Sequence, residues 1–206
     1  MKLNFDSPVL DYINTFLSFV VLNILFLICC IPVVTIGPAL CAVYRVTIRE
    51  VKREYGYMVR TYLKAFRENF LSALLLFVFF LMLGLILLFA AAFWYSMGGS
   101  TGWAAVTFLA VVGLAIYGSV SYAFPLLARY GLSLRQTLKN SFAMAMGHPG
   151  YTLLLMGIDI AFFIFLYFTD AGKVFMGIVG FSFMAVCKSL VLVKVFEKYE
   201  TDEEKI

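Results

Sequence analysis

At 206 residues, 63% hydrophobic, 17% aromatic and 14% charged, the chain is far more apolar than a soluble domain, for which about 45–50% apolar and about 25% charged residues are usual. That excludes a water-soluble enzyme or nucleic-acid-binding domain, and the length leaves no room for a large domain outside a set of apolar spans. The net charge of +4 matters less than where the charges sit.

A hydrocarbon core about 30 Å thick needs about 20 apolar residues per helix. Five stretches qualify: residues 12–31, 70–95, 103–128, 151–168 and 174–193. They are continuous apolar runs, without the alternation of a membrane β-strand, so helices with internally satisfied backbones are expected. The expected fold class is all-α: one polytopic domain of five transmembrane helices. The opening MKLNFDSPVLDY carries one Lys and two Asp, a poor start for a signal peptide, and the first run is expected to stay as an anchor.

The first run ends at Pro32, and the chain turns through Thr35-Ile36-Gly37-Pro38. Seven cations follow before the second run: Arg45, Arg49, Lys52, Arg53, Arg60, Lys64 and Arg67. Helical spacing puts Ile48, Val51 and Tyr55 on one face, with Arg45, Arg49 and Arg53 on another. It aligns Met58, Tyr62, Phe66 and Phe70 opposite Arg60, Lys64 and Arg67, and Gly56 breaks the two helices apart. Residues 39–69 are therefore expected as cytoplasmic amphipathic helices. Trp94, Tyr95 and Trp103 bracket a glycine-rich outer turn at 97–102, where an interfacial aromatic belt belongs.

Residues 129–149 form the second basic segment, with Arg129, Arg135 and Lys139. Ser133 with Gln136 reads as a capping box, Leu134, Leu138, Phe142 and Ala145 as an apolar stripe, and Gly147 with Pro149 as a stop. The order span, basic helices, span occurs twice, with Pro38, Leu40 and Tyr44 echoed by Pro125, Leu126 and Tyr130, a weak parallel repeat. The tail, 194–206, adds Lys194, Lys198 and Lys205. If all five spans cross, thirteen cations fall on one side and two, Lys2 and Lys173, on the other. That bias puts the basic loops and the C-terminus in the cytoplasm and the N-terminus outside.

Three residues form a candidate intramembrane polar site: Asp159, Lys188 and Asn23. A mid-span carboxylate costs about 2.5–3.5 kcal/mol, and the Leu, Ile and Phe residues around it offset that at about 0.3–0.6 kcal/mol each. Asp159 should therefore face the bundle interior. Counted from the cytoplasmic ends of their helices, Asp159 and Lys188 differ in depth by about 4–5 Å, within reach of a Lys stem. The pair fits an ion, proton or polar-substrate site, and equally a pair that fixes helix register. Asn23 suits a hydrogen bond across a helix interface, as do Ser119, Ser121 and Tyr122. Gly113, Gly118, Gly177 and Gly180 suit close packing. The candidate docking or lipid-contact face comprises Arg45, Arg49, Lys52, Arg53, Arg60, Lys64, Arg67, Arg135 and Lys139, and anionic lipid of the inner leaflet is its expected partner.

Cys29, Cys30, Cys41 and Cys187 lie in or beside apolar segments and read as small buried hydrophobes. His148 stands without nearby ligands, and neither a nucleophile–base set nor a phosphate-binding glycine loop can be assembled. No catalytic residue, metal or cofactor is expected, and no nucleic acid.

The stretches LNFDSPVLDYINTFLSFVVLNILFLICCIPVVTIGPALCAVYRV, EYGYMVRTYLKAFRENF and SLRQTLKNSFAMAMGHPGYTLLL resemble the YesL-like family of bacterial integral membrane proteins. The resemblance is most specific at 32–44 and 62–70. It implies a bacterial cell membrane and, by gene neighbourhood alone, a place beside carbohydrate ABC importers; it transfers no catalytic or ligand residue. The expectation is a non-catalytic accessory or partner protein associated with carbohydrate ABC import, with importer subunits or a second copy as partners. The alternative is a small transporter or channel with Asp159 and Lys188 in a polar path.

Overall fold

The computed structural model describes residues 8–54 and 56–203, with side chains from residue 14 to residue 199. Every described element is helical: α1 (Pro8–Cys30), α2 (Ile36–Val51), α3 (Met58–Glu68), α4 (Phe70–Met97), α5 (Gly99–Tyr130), α6 (Leu134–Gly147), α7 (Pro149–Phe168), α8 (Asp170–Phe175) and α9 (Phe181–Glu203). A 3-10 turn, Val33–Thr35, joins α1 to α2, and a π turn, Met176–Gly180, joins α8 to α9. Among the described residues, four helical stretches are long and apolar enough to cross a membrane: Phe70–Met97, Gly99–Tyr130, Pro149–Phe168 and Asp170–Tyr199. The chain is an all-α, multi-pass membrane protein. The first expected span corresponds to α1, a helix of 23 residues whose described stretch Asn14–Cys30 is apolar. Tyr55 lies outside the described residues, as do Lys2 and Lys205; the expected tail continues α9 as far as Glu203.

The packed core is displaced toward the basic end of the bundle, and α2 is its hub. Between Gly37 and Ile48 all but Leu40 and Arg45 are buried, and α1, α3, α4, α5 and α9 all pack on it. Small side chains allow this closeness: Ala39, Cys41 and Ala42 are fully buried. Gly37 has no room for a side chain, since a Cβ there would stand 2.5 Å from the Ala73 carbonyl and 2.6 Å from Phe77 Cβ. An amphipathic surface helix is thus not what residues 36–51 form. In α5, nearly all of residues 118–128 are buried, whereas most of residues 99–117 are exposed. In α4 only Ala73 and Leu76 are buried, and Leu88 and Phe89 stand open. An apolar surface this continuous is stable only against lipid.

Local chemistry sets the joints. Thr35 Oγ1 donates to the carbonyls of Cys29 (2.5 Å) and Pro32 (2.7 Å), closing the corner between α1 and α2. Pro38 sits in the first turn of α2, where a missing N–H is harmless. α2 ends at Val51, and Gly56 lies in the break before α3; just past the helix Arg53 takes a left-handed conformation, φ 57°, and the Arg53 and Glu54 N–H groups return to Glu50 and Arg49. The turn between α4 and α5 uses Gly98 and Gly99, φ 64° and 70°, with Tyr95 and Trp103 in edge contact beside it. At the start of α6, the Ser133 N–H and hydroxyl both donate to Gln136 Oε1. The buried face of α6 is Thr137, Ser141, Met144 and Ala145, while Phe142 is exposed. Of the predicted stripe, Ala145 is buried and Leu134 and Leu138 pack half-buried against the core, so Phe142 alone departs from it; Thr137 and Ser141, which bond their own backbone, complete the packed face. The repeat is one of order only: Pro38 opens α2, whereas Pro125 lies inside α5.

Candidate functional site

Four helices bring polar groups together within the membrane-crossing part of the bundle. Lys188 on α9 donates to both carboxylate oxygens of Asp159 on α7, at 3.0 and 2.8 Å. The Tyr117 hydroxyl on α5 donates to Asp159 Oδ2 at 2.8 Å. Tyr44 of α2, also buried, lies close to the Lys188 ammonium. The Lys188 and Asp159 side chains are 7% and 17% exposed, so opposite charges meet where water is scarce. Each charge compensates the other's desolvation, and the Tyr117 hydroxyl gives Asp159 Oδ2 a second donor. Asp159 also forms the floor of an open groove of ≈ 350 Å³, whose walls include Phe162, Phe163, Met176 and Phe181.

Asn23 is not part of this cluster. It is fully buried and inserts into the π turn: Nδ2 donates to the carbonyls of Gly177 (2.8 Å) and Met176 (3.2 Å), and Oδ1 accepts from the Ser182 N–H at 3.2 Å. A π turn interrupts the ordinary helical hydrogen-bond ladder, and Asn23 supplies the missing partners from α1. Below Lys188, Thr47 and Ser189 share a buried hydrogen bond at 2.8 Å. Tyr122 bonds to Thr152 at 3.2 Å, and Thr152 in turn donates to the Ala145 and His148 carbonyls. Ser119 and Ser121 bond within their own helix, to Ala115 and Tyr117, and not across an interface as expected. Gly118 does serve close approach, against Thr152 and Met156, whereas Gly113 and Gly177 face open space. Gly180 meets Met176 of its own π turn.

The predicted basic face divides into two groups. Arg45 turns inward and donates to the Ala128 and Arg129 carbonyls, both at 2.9 Å, capping the end of α5; it is not on a docking face. Arg49 pairs with Glu54 at 3.3 Å, and Lys52 is half-buried. Arg53, Arg60, Lys64, Arg67, Arg135 and Lys139 remain exposed, with Lys64 near Glu68 at 3.7 Å. Tyr57, Val59 and Leu63 are exposed beside the α3 cations, so apolar and cationic surface adjoin. On the inner face of α3, burial pushes the Tyr62 phenol well above its usual range, with Cys29 facing it, which keeps it protonated.

Tyr117 and Tyr44 are the site residues not assigned from sequence. Tyr44 stands within the most specific family-like stretch, but its partner comes from a helix 144 positions later in the chain. Tyr117 is the sole Tyr in the exposed half of α5, a signal of a polar neighbour that spacing alone did not convert into a contact.

A family model described as "Protein of unknown function, DUF624" matches residues 19–91, from the second half of α1 to late in α4. No curated protein and no solved structure matches the chain.

Proposed function

We propose that this chain is a non-catalytic accessory protein of a bacterial cell membrane, working by helix contacts in the bilayer and by a basic cytoplasmic face. The observation that carries this reading is the engagement of Asp159 by Lys188 and Tyr117 at 2.8–3.0 Å. A carboxylate held this way locks helices together and leaves little coordination for a moving ion. Asn23 is likewise occupied, by backbone groups. The exposed cations of α3 and α6 suit anionic lipid headgroups or an acidic partner surface. A carbohydrate ABC importer as the partner rests on the YesL-like resemblance.

The test is a gentle-detergent pull-down of the tagged chain from its native membrane, with mass spectrometry. Recovery of importer subunits in stoichiometric amount is the expected outcome. Recovery of the chain alone, or only with copies of itself, removes the importer from the proposal.

One observation favours a small transporter or channel instead: the groove of ≈ 350 Å³ over Tyr117 and Asp159. In proteoliposomes, a solute flux abolished by Asp159→Asn would establish that reading over the accessory one.

A further inference from the structure

We propose that α1 does not cross the membrane: α1 and α2 form a hairpin that enters from the basic face and returns to it. The chain then crosses four times, and the start of α1 lies on the same side as the end of α9.

The placement of the two open ends of the hairpin carries this. Asn14, Ser18 and Val21 of α1 share one groove of ≈ 530 Å³ with Gly56, Tyr57 and Met58, at the connection from α2 to α3. That connection belongs to the basic side. α3 has 11 residues, about 16 Å of helix, too short to cross a core of about 30 Å before α4 begins. Its Arg60, Lys64 and Arg67 are exposed and cannot lie in hydrocarbon. Arg45, on α2, is fixed to the Ala128 and Arg129 carbonyls at the basic end of α5.

The closed end of the hairpin stays in the same half of the molecule. Gly37 packs against Ala73 and Phe77, within the first two turns of α4 and far from the outer turn at Gly98. The corner residues Ile31, Val33 and Val34 are exposed and apolar, suited to lipid. A helix crossing from outside would place Asn14 about 24 Å from Cys30 along its axis, on the outer side, and Asn14 could not meet Gly56 without drawing the α3 cations across. Backbone that re-enters is stable where protein covers it, and between Gly37 and Ile48 all of α2 but Leu40 and Arg45 is buried. An even number of crossings replaces the outer start of α1 expected from the charge pattern.

The test is single-cysteine labelling after Cys29, Cys30, Cys41 and Cys187 are replaced by Ala. Asn14→Cys, Gly56→Cys and Ser100→Cys are each exposed to a membrane-impermeant maleimide, in intact cells and in inside-out vesicles. Asn14→Cys and Gly56→Cys should react in inside-out vesicles and be protected in intact cells, with Ser100→Cys the reverse. Asn14→Cys reacting in intact cells with Ser100→Cys overturns the proposal. Should the cysteine-free chain fail to insert, reporters fused ahead of the native chain decide. A fluorescent protein that is bright and an alkaline phosphatase that is inactive are expected, and the opposite pair overturns it.

Discussion

Asp159 and Lys188 are worth more as a pair than either is alone. Asp159→Asn leaves the Lys188 ammonium, 7% exposed, without its counter-charge, and removing one partner of a buried ion pair typically costs about 3–5 kcal/mol. Asp159→Asn is therefore expected to lower stability by about 3 kcal/mol, measured by thermal unfolding in detergent. Adding Lys188→Met should restore most of the loss, because no uncompensated charge then remains. A double variant as unstable as the sum of the two single ones would show that the groups are not coupled. The pair was legible in the sequence because both residues lie on long regular helices, where rise per residue converts position into depth. Tyr117 and Tyr44 were not, because a hydroxyl partner depends on how each helix is rotated.

At the scale of single helices, two glycine changes should separate in sign. Gly37→Ala drives a methyl into the Ala73 carbonyl and Phe77, and such overpacking costs about 1–3 kcal/mol. Gly113 has open space around it, so Gly113→Ala should be neutral or stabilising by up to about 1 kcal/mol through helix propensity. Equal effects, read as midpoints of thermal unfolding, would contradict the close approach of α2 to α4. The end of α2 offers a second check. Arg53 holds φ 57°, a conformation that favours glycine, so Arg53→Gly should raise stability by up to about 1 kcal/mol. A loss would mean that the Arg53 side chain matters more than its backbone. Glycine at 56 was the visible break in the sequence and lies between the two helices, but α2 itself ends five residues earlier, at Val51, because backbone hydrogen bonding ends a helix where the last carbonyls find partners.

For the molecule as a whole, the exposed cations Arg60, Lys64 and Arg67 beside Tyr57, Val59 and Leu63 form an interfacial surface. Anionic headgroups contribute about 1 kcal/mol per nearby cation. Nanodiscs containing phosphatidylglycerol should stabilise the protein relative to zwitterionic ones. The gain should disappear in the triple variant Arg60→Gln, Lys64→Gln, Arg67→Gln, and an unchanged gain would assign lipid contact to another surface. The half-exposed architecture has the same origin. The outer parts of α4, α5 and α7 are packed by lipid, and protein packing is concentrated where α2 fills the centre.

The sequence by itself determined that the protein is helical and lies in a membrane, where its polar residues fall along each helix, and which loops are basic. These follow from apolar run length, from the need to satisfy backbone groups in hydrocarbon, and from charge counts, all of which are local properties. Only the tertiary structure decided that α2 is a buried hub, that Arg45 caps α5, and that Asn23 serves a π turn far along the chain. An amphipathic pattern says that one face wants cover, but not whether the cover is lipid, water or protein. That choice depends on how closely five other helices can approach, which is set by Gly37, Ala39, Cys41 and Ala42 acting together.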